Sequence, residues 1–221
     1  MGRLRIRPCT IMLIDLHTHH TTREPHITSI ISSGTTPTAD GTPCSVGIHP
    51  WHISTAWETA MQQVRLAAPA SNVVAIGECG IDKLKSPADI ALQTEVLAAH
   101  AALAEEVQKP LILHCVKGHE EIMKLRRQMA AKQAWIIHGF RGKPTQALQL
   151  TGAGFYLSYG ERYNSDSLAV TPADRLFLET DTSSTPIYDI YKEAAKHLSM
   201  SIEELAATIA QNLRSCNINI M

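Results

Sequence analysis

Residues 73–115 read VVAIGECGIDKLKSPADIALQTEVLAAHAALAEEVQKPLILHC, and this stretch decides the fold. It opens on a continuous apolar, β-branched run over 73–77 and closes on a second one over 111–115. Between them Val96, Ala99, Leu103 and Val107 recur at three- and four-residue steps, which puts them on one face of a helix. Ser86 before Pro87 marks the start of that helix over 87–107, and Pro110 marks its end. Strands that are apolar throughout, rather than alternating, are covered on both faces, and two of them joined by a crossover helix lie parallel.

The same unit repeats outward in both directions. Further strand candidates fall at 11–16, 26–31, 44–48, 135–137, 154–158 and 175–179, eight in all with the two above. Thr55 with Glu58, and Ser201 with Glu204 ahead of a last helix over 202–213, carry the spacing of capping boxes. Eight strand–helix units predict closure into a (β/α)8 barrel, an architecture of typically about 250 residues. The present 221 residues are short for it. The connections 18–25 and 32–43 are rich in Thr, Gly and Pro without helical period, so a compact barrel is expected with its first crossover helices shortened or missing. Residues 1–10, MGRLRIRPCT, read as a flexible basic leader and 11–221 as one domain.

Composition narrows the function classes. Hydrophobic residues are 44% and charged residues 19%, as in a globular chain, and 20 Lys and Arg against 21 Asp and Glu exclude a strongly basic nucleic-acid coat protein. No apolar run approaches the roughly 20 residues of a membrane-spanning helix, so no membrane partner is expected, nor is an obligate protein partner. Cys9, Cys44, Cys79, Cys115 and Cys216 are odd in number and contain no CxxC pair, which predicts reduced thiols and a cytoplasmic location. The unusual figure is 11 histidines.

Their placement is informative. His17 and His19 sit two apart at the end of the first strand and share a face. Glu78 follows the strand 73–77, His114 and His138 end the strands 111–115 and 135–137, and Asp181 follows 175–179. Carboxyl ends of strands meet at the catalytic mouth of a parallel barrel. Imidazole and carboxylate together suit zinc, manganese, iron or magnesium, and one carboxylate can bridge two ions about 3.5 to 4 Å apart. His49, ahead of Pro50, is a candidate to contact substrate or orient a ligand. Lys117, Arg141 and Lys143, after metal-bearing strands, are candidates for phosphate contacts. Trp51 and Phe140 could stack on a base or pack in the core. Cys79 and Cys115 are expected to point away from the centre, because strand neighbours alternate.

Taken in order, Asp15-Leu16-His17-Thr18-His19, Gly47-Ile48-His49-Pro50, Gly77-Glu78-Cys79-Gly80-Ile81-Asp82, Pro110 to His114, Ile137-His138-Gly139-Phe140 and Glu179-Thr180-Asp181 resemble the TatD family over nearly the whole chain. The resemblance implies an amidohydrolase-like TIM barrel that hydrolyses phosphodiester bonds, an exonuclease on single-stranded or end-frayed DNA using two divalent ions (Mg, Mn or Zn). It implies a first metal on His17, His19, Glu78 and Asp181 and a second on Glu78, His114 and His138, with Glu78 and Asp181 catalytic and Asp181 taking the proton of the attacking water. Three departures bear on the substrate: the region between the HxH and Gly-x-His-Pro motifs is shortened, Val116-Lys117 stands where the family commonly has an Arg, and Thr182-Ser183-Ser184 replaces Ala or Ser before Pro. Two rival expectations are a phosphatase or esterase on small substrates and a metal-binding barrel without turnover that serves as an interaction protein.

Overall fold

The computed structural model describes residues 11–21 and 24–220, so the leader over 1–10, with Cys9, lies outside the described residues. Among them the strands are β1 (Leu13–Thr18), β2 (Ile27–Ser32), β3 (Cys44–Val46), β4 (Val73–Asp82), β5 (Leu111–Val116), β6 (Trp135–Ile137), β7 (Tyr156–Tyr159) and β8 (Leu176–Leu178). Each pairs parallel with the next, in the order β1 to β8. The helices are α1 (Trp57–Ala67), α2 (Ile90–Val107), α3 (His119–Gln128), α4 (Pro144–Gly152), α5 (Ser165–Val170), α6 (Ile187–Leu198) and α7 (Ile202–Ser215). This is the (β/α)8 barrel expected from the strand–helix repeat. Among the described residues no helix separates β1 from β2 or β2 from β3, so the first two crossovers are loops.

The barrel closes between β8 and β1, and side chains help to zip the seam. Tyr191 on α6 donates its hydroxyl to the Ile14 carbonyl at 3.0 Å and accepts from the Ile14 N–H at 3.2 Å, so those two backbone groups are satisfied by a helix rather than by a strand. Higher up, the Asp181 N–H donates to the His17 carbonyl at 2.9 Å, and the His19 N–H to the Asp181 carbonyl at 3.0 Å. Asp181 adopts the left-handed φ of +54° there.

Several sequence expectations are corrected. Glu78 does not follow β4 but lies inside it, because the strand runs on to Asp82. Glycine permits this: Gly80 has φ +143°, and a Cβ there would overlap the His114 carbonyl of β5. Helix α2 starts at Ile90 rather than 87, capped by Asp89, whose carboxylate accepts from the Leu92 N–H at 2.8 Å. Ser86 instead donates to the Pro50 carbonyl at 2.7 Å. Thr55 and Glu58 form no capping box; α1 begins without a side-chain cap. The Ser201–Glu204 box on α7 is present in both directions. Cys44, Cys79, Cys115 and Cys216 are free thiols, and no helix among the described residues is long and apolar enough to cross a membrane.

One histidine with no role in the motifs proves structural. His100 is fully buried on α2; its Nε2 accepts from the Ile48 N–H at 3.0 Å while its Nδ1 faces the Val96 carbonyl at 2.7 Å. It thus fixes the backbone beside His49. Burial pushes its pKa down from 6.5 to about 4, against the Val96 bond that favours the charged form. The unfolded chain therefore takes up the proton first, so the contribution of neutral His100 is complete above pH 6.5 and is lost as pH falls toward 4. A shift of that size corresponds to about 3 kcal/mol. In urea titrations between pH 7 and 4.5, a His100→Gln variant is expected to lose stability with acidification less steeply than wild type; parallel curves would refute this.

Candidate metal centre

The mouth of the barrel gathers its donors around one carboxylate. Glu78 is 4% exposed, and its two oxygens face different sets of imidazoles. Oε1 lies 2.8 Å from His138 Nε2, 2.9 Å from His114 Nδ1 and 3.0 Å from His49 Nε2. Oε2 lies 3.3 Å from His17 Nε2 and 3.5 Å from His19 Nε2. On that side Asp181 Oδ1 completes the group, 3.6 Å from His19 Nε2 and 3.9 Å from His17 Nε2. The structure thus brings together the six residues that the motifs single out, and adds His49 to them.

The donor set fits a divalent cation. Within it, His17, His19 and Glu78 form one group with ligand atoms inside 4.8 Å of one another, His17, His138 and Asp181 a second, and His49, Glu78 and His114 a third. Both ring nitrogens of His17 are buried and lack a hydrogen-bond partner, although Nε2 is close to two carboxylates. Leaving such a group unsatisfied costs roughly 1–3 kcal/mol, and a cation seated between these donors would satisfy Nε2. Imidazole with carboxylate is the ligand chemistry of zinc, manganese and iron sites.

Hydrogen bonds to the outer nitrogen of each ring decide what its inner nitrogen can do. His49 Nδ1 accepts from the Trp51 N–H at 3.1 Å, so a neutral His49 carries its proton on Nε2 and faces the centre as a donor. His138 is the reverse case: its Nδ1 meets Glu179 Oε1 at 3.3 Å, an oxygen that also accepts from the Gly139 N–H at 2.6 Å, and its Nε2 faces Glu78. Asp15, also buried, accepts from the Thr180 N–H at 2.8 Å and its hydroxyl at 2.7 Å, pinning the loop that carries Asp181. Burial raises the Asp15 carboxyl to about 7 against those two bonds.

The charges are strongly coupled. Burial alone would raise the pKa of Glu78, but His138, His114 and His17 outweigh it and hold Glu78 far below the usual carboxylate range. His138 is raised well above 6.5, burial being overcome by Glu78 and Glu179. His19 is raised chiefly by its bond to Glu78, whereas burial lowers His49.

Glu78, His49, His114, His138, His19 and Asp181 line one side of a cavity of about 700 Å³. Ser32 at the end of β2, with Gly34 and Thr35 from the helix-free β2–β3 connection, lines the same cavity. The two aromatic candidates separate. Trp51, 42% exposed, lines this cavity, whereas Phe140 is 3% exposed and packs edge-on against Tyr159, so base stacking by Phe140 is ruled out by its burial. Lys117 and Lys143 are exposed and outside the cavity; the left-handed turn at Lys117 (φ +55°) leads from β5 into α3. Arg141 lines a neighbouring depression of about 130 Å³ with Arg162, a hollow that shares Asp181 and Thr182 with the main cavity. Cys79 is buried and its thiol lies 3.9 Å from the Ile112 carbonyl; neither it nor Cys115 joins a donor group.

The motifs left Asp82 and Glu179 without a role. Asp82 stands four residues after Glu78 on the same strand, and even spacing places the two on one face, whereas Glu179 and Asp181 lie beyond the end of β8, Asp181 with a left-handed backbone. For Asp82 that signal was available in the sequence.

A family model described as TatD related DNase matches residues 18–217 of this chain. The 3′-5′ ssDNA/RNA exonuclease TatD of Erwinia tasmaniensis is 34% identical over 148 residues, 62% of this chain and 56% of that protein, so the match spans little more than half of this curated relative. An uncharacterized metal-dependent hydrolase of Bacillus subtilis is 29% identical over 193 residues, 77% of this chain and 75% of that one. Among solved structures, a TatD homologue from Escherichia coli superposes with a TM-score of 0.78 at 19% identity, covering 94% of this chain and 98% of its own. A TatD family hydrolase from Entamoeba histolytica gives 0.72 at 14% identity, covering 93% and 98%. At those identities the likeness is one of fold.

The positive partners of Glu78 make a testable electrostatic claim. Because the pKa of His138 is raised in the folded state, its stabilisation is complete below pH 6.5 and fades as pH rises through the folded value. Glu78→Gln in metal-free protein is expected to cost about 3 kcal/mol at pH 6 and less at pH 8, read by urea unfolding. An equal or larger cost at pH 8 would contradict it.

Proposed function

Since the chain belongs to the TatD related DNase family, we propose that it is a metal-dependent hydrolase that cleaves phosphodiester bonds of nucleic acid, working from the end of single-stranded or frayed DNA. The observation that carries the proposal is the division of Glu78, each of whose oxygens faces its own set of imidazoles at the floor of an open cavity. In this reading His17, His19, Glu78 and Asp181 hold one divalent ion and Glu78, His114 and His138 a second, with magnesium, manganese and zinc as candidates. Bound there, divalent ions supply positive charge that polarises a phosphoryl group and acidifies water.

The remaining work falls to the chain itself. Asp181, partly exposed and held in place by its backbone bonds to β1, accepts the proton of the attacking water. His49, protonated on Nε2 because Trp51 occupies Nδ1, donates to an oxygen of the phosphate group. Arg141 meets a phosphate from the depression beside Asp181. Lys117 and Lys143 can meet only chain that extends beyond the cavity. The domain is the barrel over 11–221, and the free thiols fit a cytoplasmic setting.

An end-labelled single-stranded oligonucleotide and a generic phosphomonoester, assayed side by side with Mn²⁺ and after EDTA, test this. Oligonucleotide shortening that stops with EDTA and resumes with Mn²⁺ is expected; faster turnover of the monoester would favour a phosphatase, and inertness on both would leave a binding protein. Asp181→Asn should fold, as judged by its circular dichroism, and lose about 100-fold or more in rate. Near-full turnover by that variant would remove Asp181 from its assigned role.

A further inference from the structure

The other nitrogen of His114 has a holder of its own. His114 Nδ1 faces Glu78 Oε1 at 2.9 Å, and its Nε2 lies 3.0 Å from Asp82 Oδ2. Asp82 is 1% exposed, and every bond it accepts is accounted for. Its Oδ1 takes the backbone N–H groups of Leu84 at 2.8 Å and Lys85 at 3.0 Å, which fixes the turn after β4. Its Oδ2 takes the Trp51 indole N–H at 2.6 Å together with His114. The Asp82 N–H in turn donates to Gln93 on α2 at 2.8 Å. Three N–H groups that can only donate, those of Trp51, Leu84 and Lys85, thus converge on its two oxygens, and Asp82 serves as an acceptor.

Carboxylate oxygens thus stand at both ring nitrogens, and a cation at Nδ1 would leave the ring a single proton, on Nε2 and held by Asp82, with the lone pair of Nδ1 pointing into the donor cluster. We propose that Asp82, braced by Trp51, is the positioning residue that sets the His114 tautomer and so makes Nδ1 a metal donor. The inference rests on the metal centre proposed above, and deepens it. Trp51 has a second tie, for Lys85 Nζ lies 4.7 Å over its ring and the ring meets His49 edge-on at 4.8 Å. A cavity-wall residue is thereby connected to a donor through a single carboxylate oxygen. A substrate group that moves Trp51 would act directly on the bond that orients His114.

Asparagine separates this role from a structural one. If Asp82→Asn keeps its carbonyl oxygen on the Leu84 and Lys85 N–H groups, its NH₂ meets two donors, Trp51 Nε1 and His114 Nε2. His114 can relieve that conflict only by moving its proton to Nδ1, the atom that must stay bare to bind a cation. Asp82→Ala removes the acceptor whichever way an amide would turn, and Trp51→Phe keeps the ring but drops the N–H. Calorimetric titration of EDTA-stripped protein with Mn²⁺ is expected to show affinity lowered by about 10-fold or more in both Asp82 variants, in line with other residues that orient metal-binding histidines, and by less in Trp51→Phe. Long-range ¹H–¹⁵N spectra, with His114 identified by its loss in His114→Gln, should show Nε2–H in the wild type, with or without a further proton shared with Glu78 at Nδ1, and Nδ1–H alone in Asp82→Asn. Wild-type affinity in Asp82→Ala, or Nδ1–H alone in the wild type, would overturn the inference while leaving the metal centre standing. A wild-type protein that takes up neither Mn²⁺ nor Zn²⁺ would overturn both.

Discussion

A carboxylate withdrawn from water in the mouth of a barrel is the constraint on which this molecule depends. Glu78 is 4% exposed, and an isolated buried charge of that kind costs several kcal/mol. Five imidazoles offset the cost, and they arrive from β1, the residues just beyond it, the loop after β3, β5 and the end of β6. No two adjacent strands could supply them; only closure of the whole sheet brings such distant residues within reach of one side chain. Fold and site are therefore one problem, because the chemistry needs the closed barrel and the closed barrel leaves Glu78 no other partners.

The seam between β8 and β1 shows how little chain suffices. β8 has three residues, and at its level the β1 backbone at Ile14 bonds to the Tyr191 hydroxyl. Where a strand bond does form, it is made by Asp181, so the residue that closes the sheet is also a donor of the site. Buried Asp15, gripping Thr180, holds the same corner from below. Shortening the barrel has an effect on the opposite side. With loops in place of the first two crossover helices, Gly34 and Thr35 come to line the cavity that Trp51 also borders.

Much of this was legible in the sequence, for definite physical reasons. Continuous apolar runs betrayed most of the eight strands, since doubly covered parallel strands lack alternation, and missing helical period in 32–43 foretold the bare crossover. The donors were legible because each stands at or near the carboxyl end of a strand. What escaped depends on contacts that spacing does not encode. The helix α2 starts at the cap Asp89 rather than at Ser86, whose hydroxyl accepts from the Ala88 N–H and donates to the Pro50 carbonyl, 36 residues away in sequence. His100 looked idle because its partner, the Ile48 N–H, belongs to a different element. Lys117, Lys143 and Arg141 follow the right strands, but the direction in which a loop leaves the barrel decides which cation reaches the cavity, and only Arg141 comes to its border. Asp82 was readable from even spacing alone, once β4 was taken past Gly77, whereas Glu179, beyond the end of β8, was not.

The near-neutral charge of the chain has a sharper meaning in the light of the cavity. Twenty basic residues balance twenty-one acidic ones, and among the described residues no Lys or Arg lines the main cavity. Its ionisable walls are imidazoles and the carboxylates of Glu78 and Asp181. Such positive charge as His19 and His138 carry is already matched by Glu78 and Glu179, which raise their pKa values. A phosphodiester entering these donors alone would meet two carboxylates with no free cation among the lining residues, and like charges at such range repel. Under the proposed function, divalent ions held by these donors would add to His49 and Arg141 the positive charge that a phosphodiester needs here, so that the same ions would bear on binding as well as on reaction.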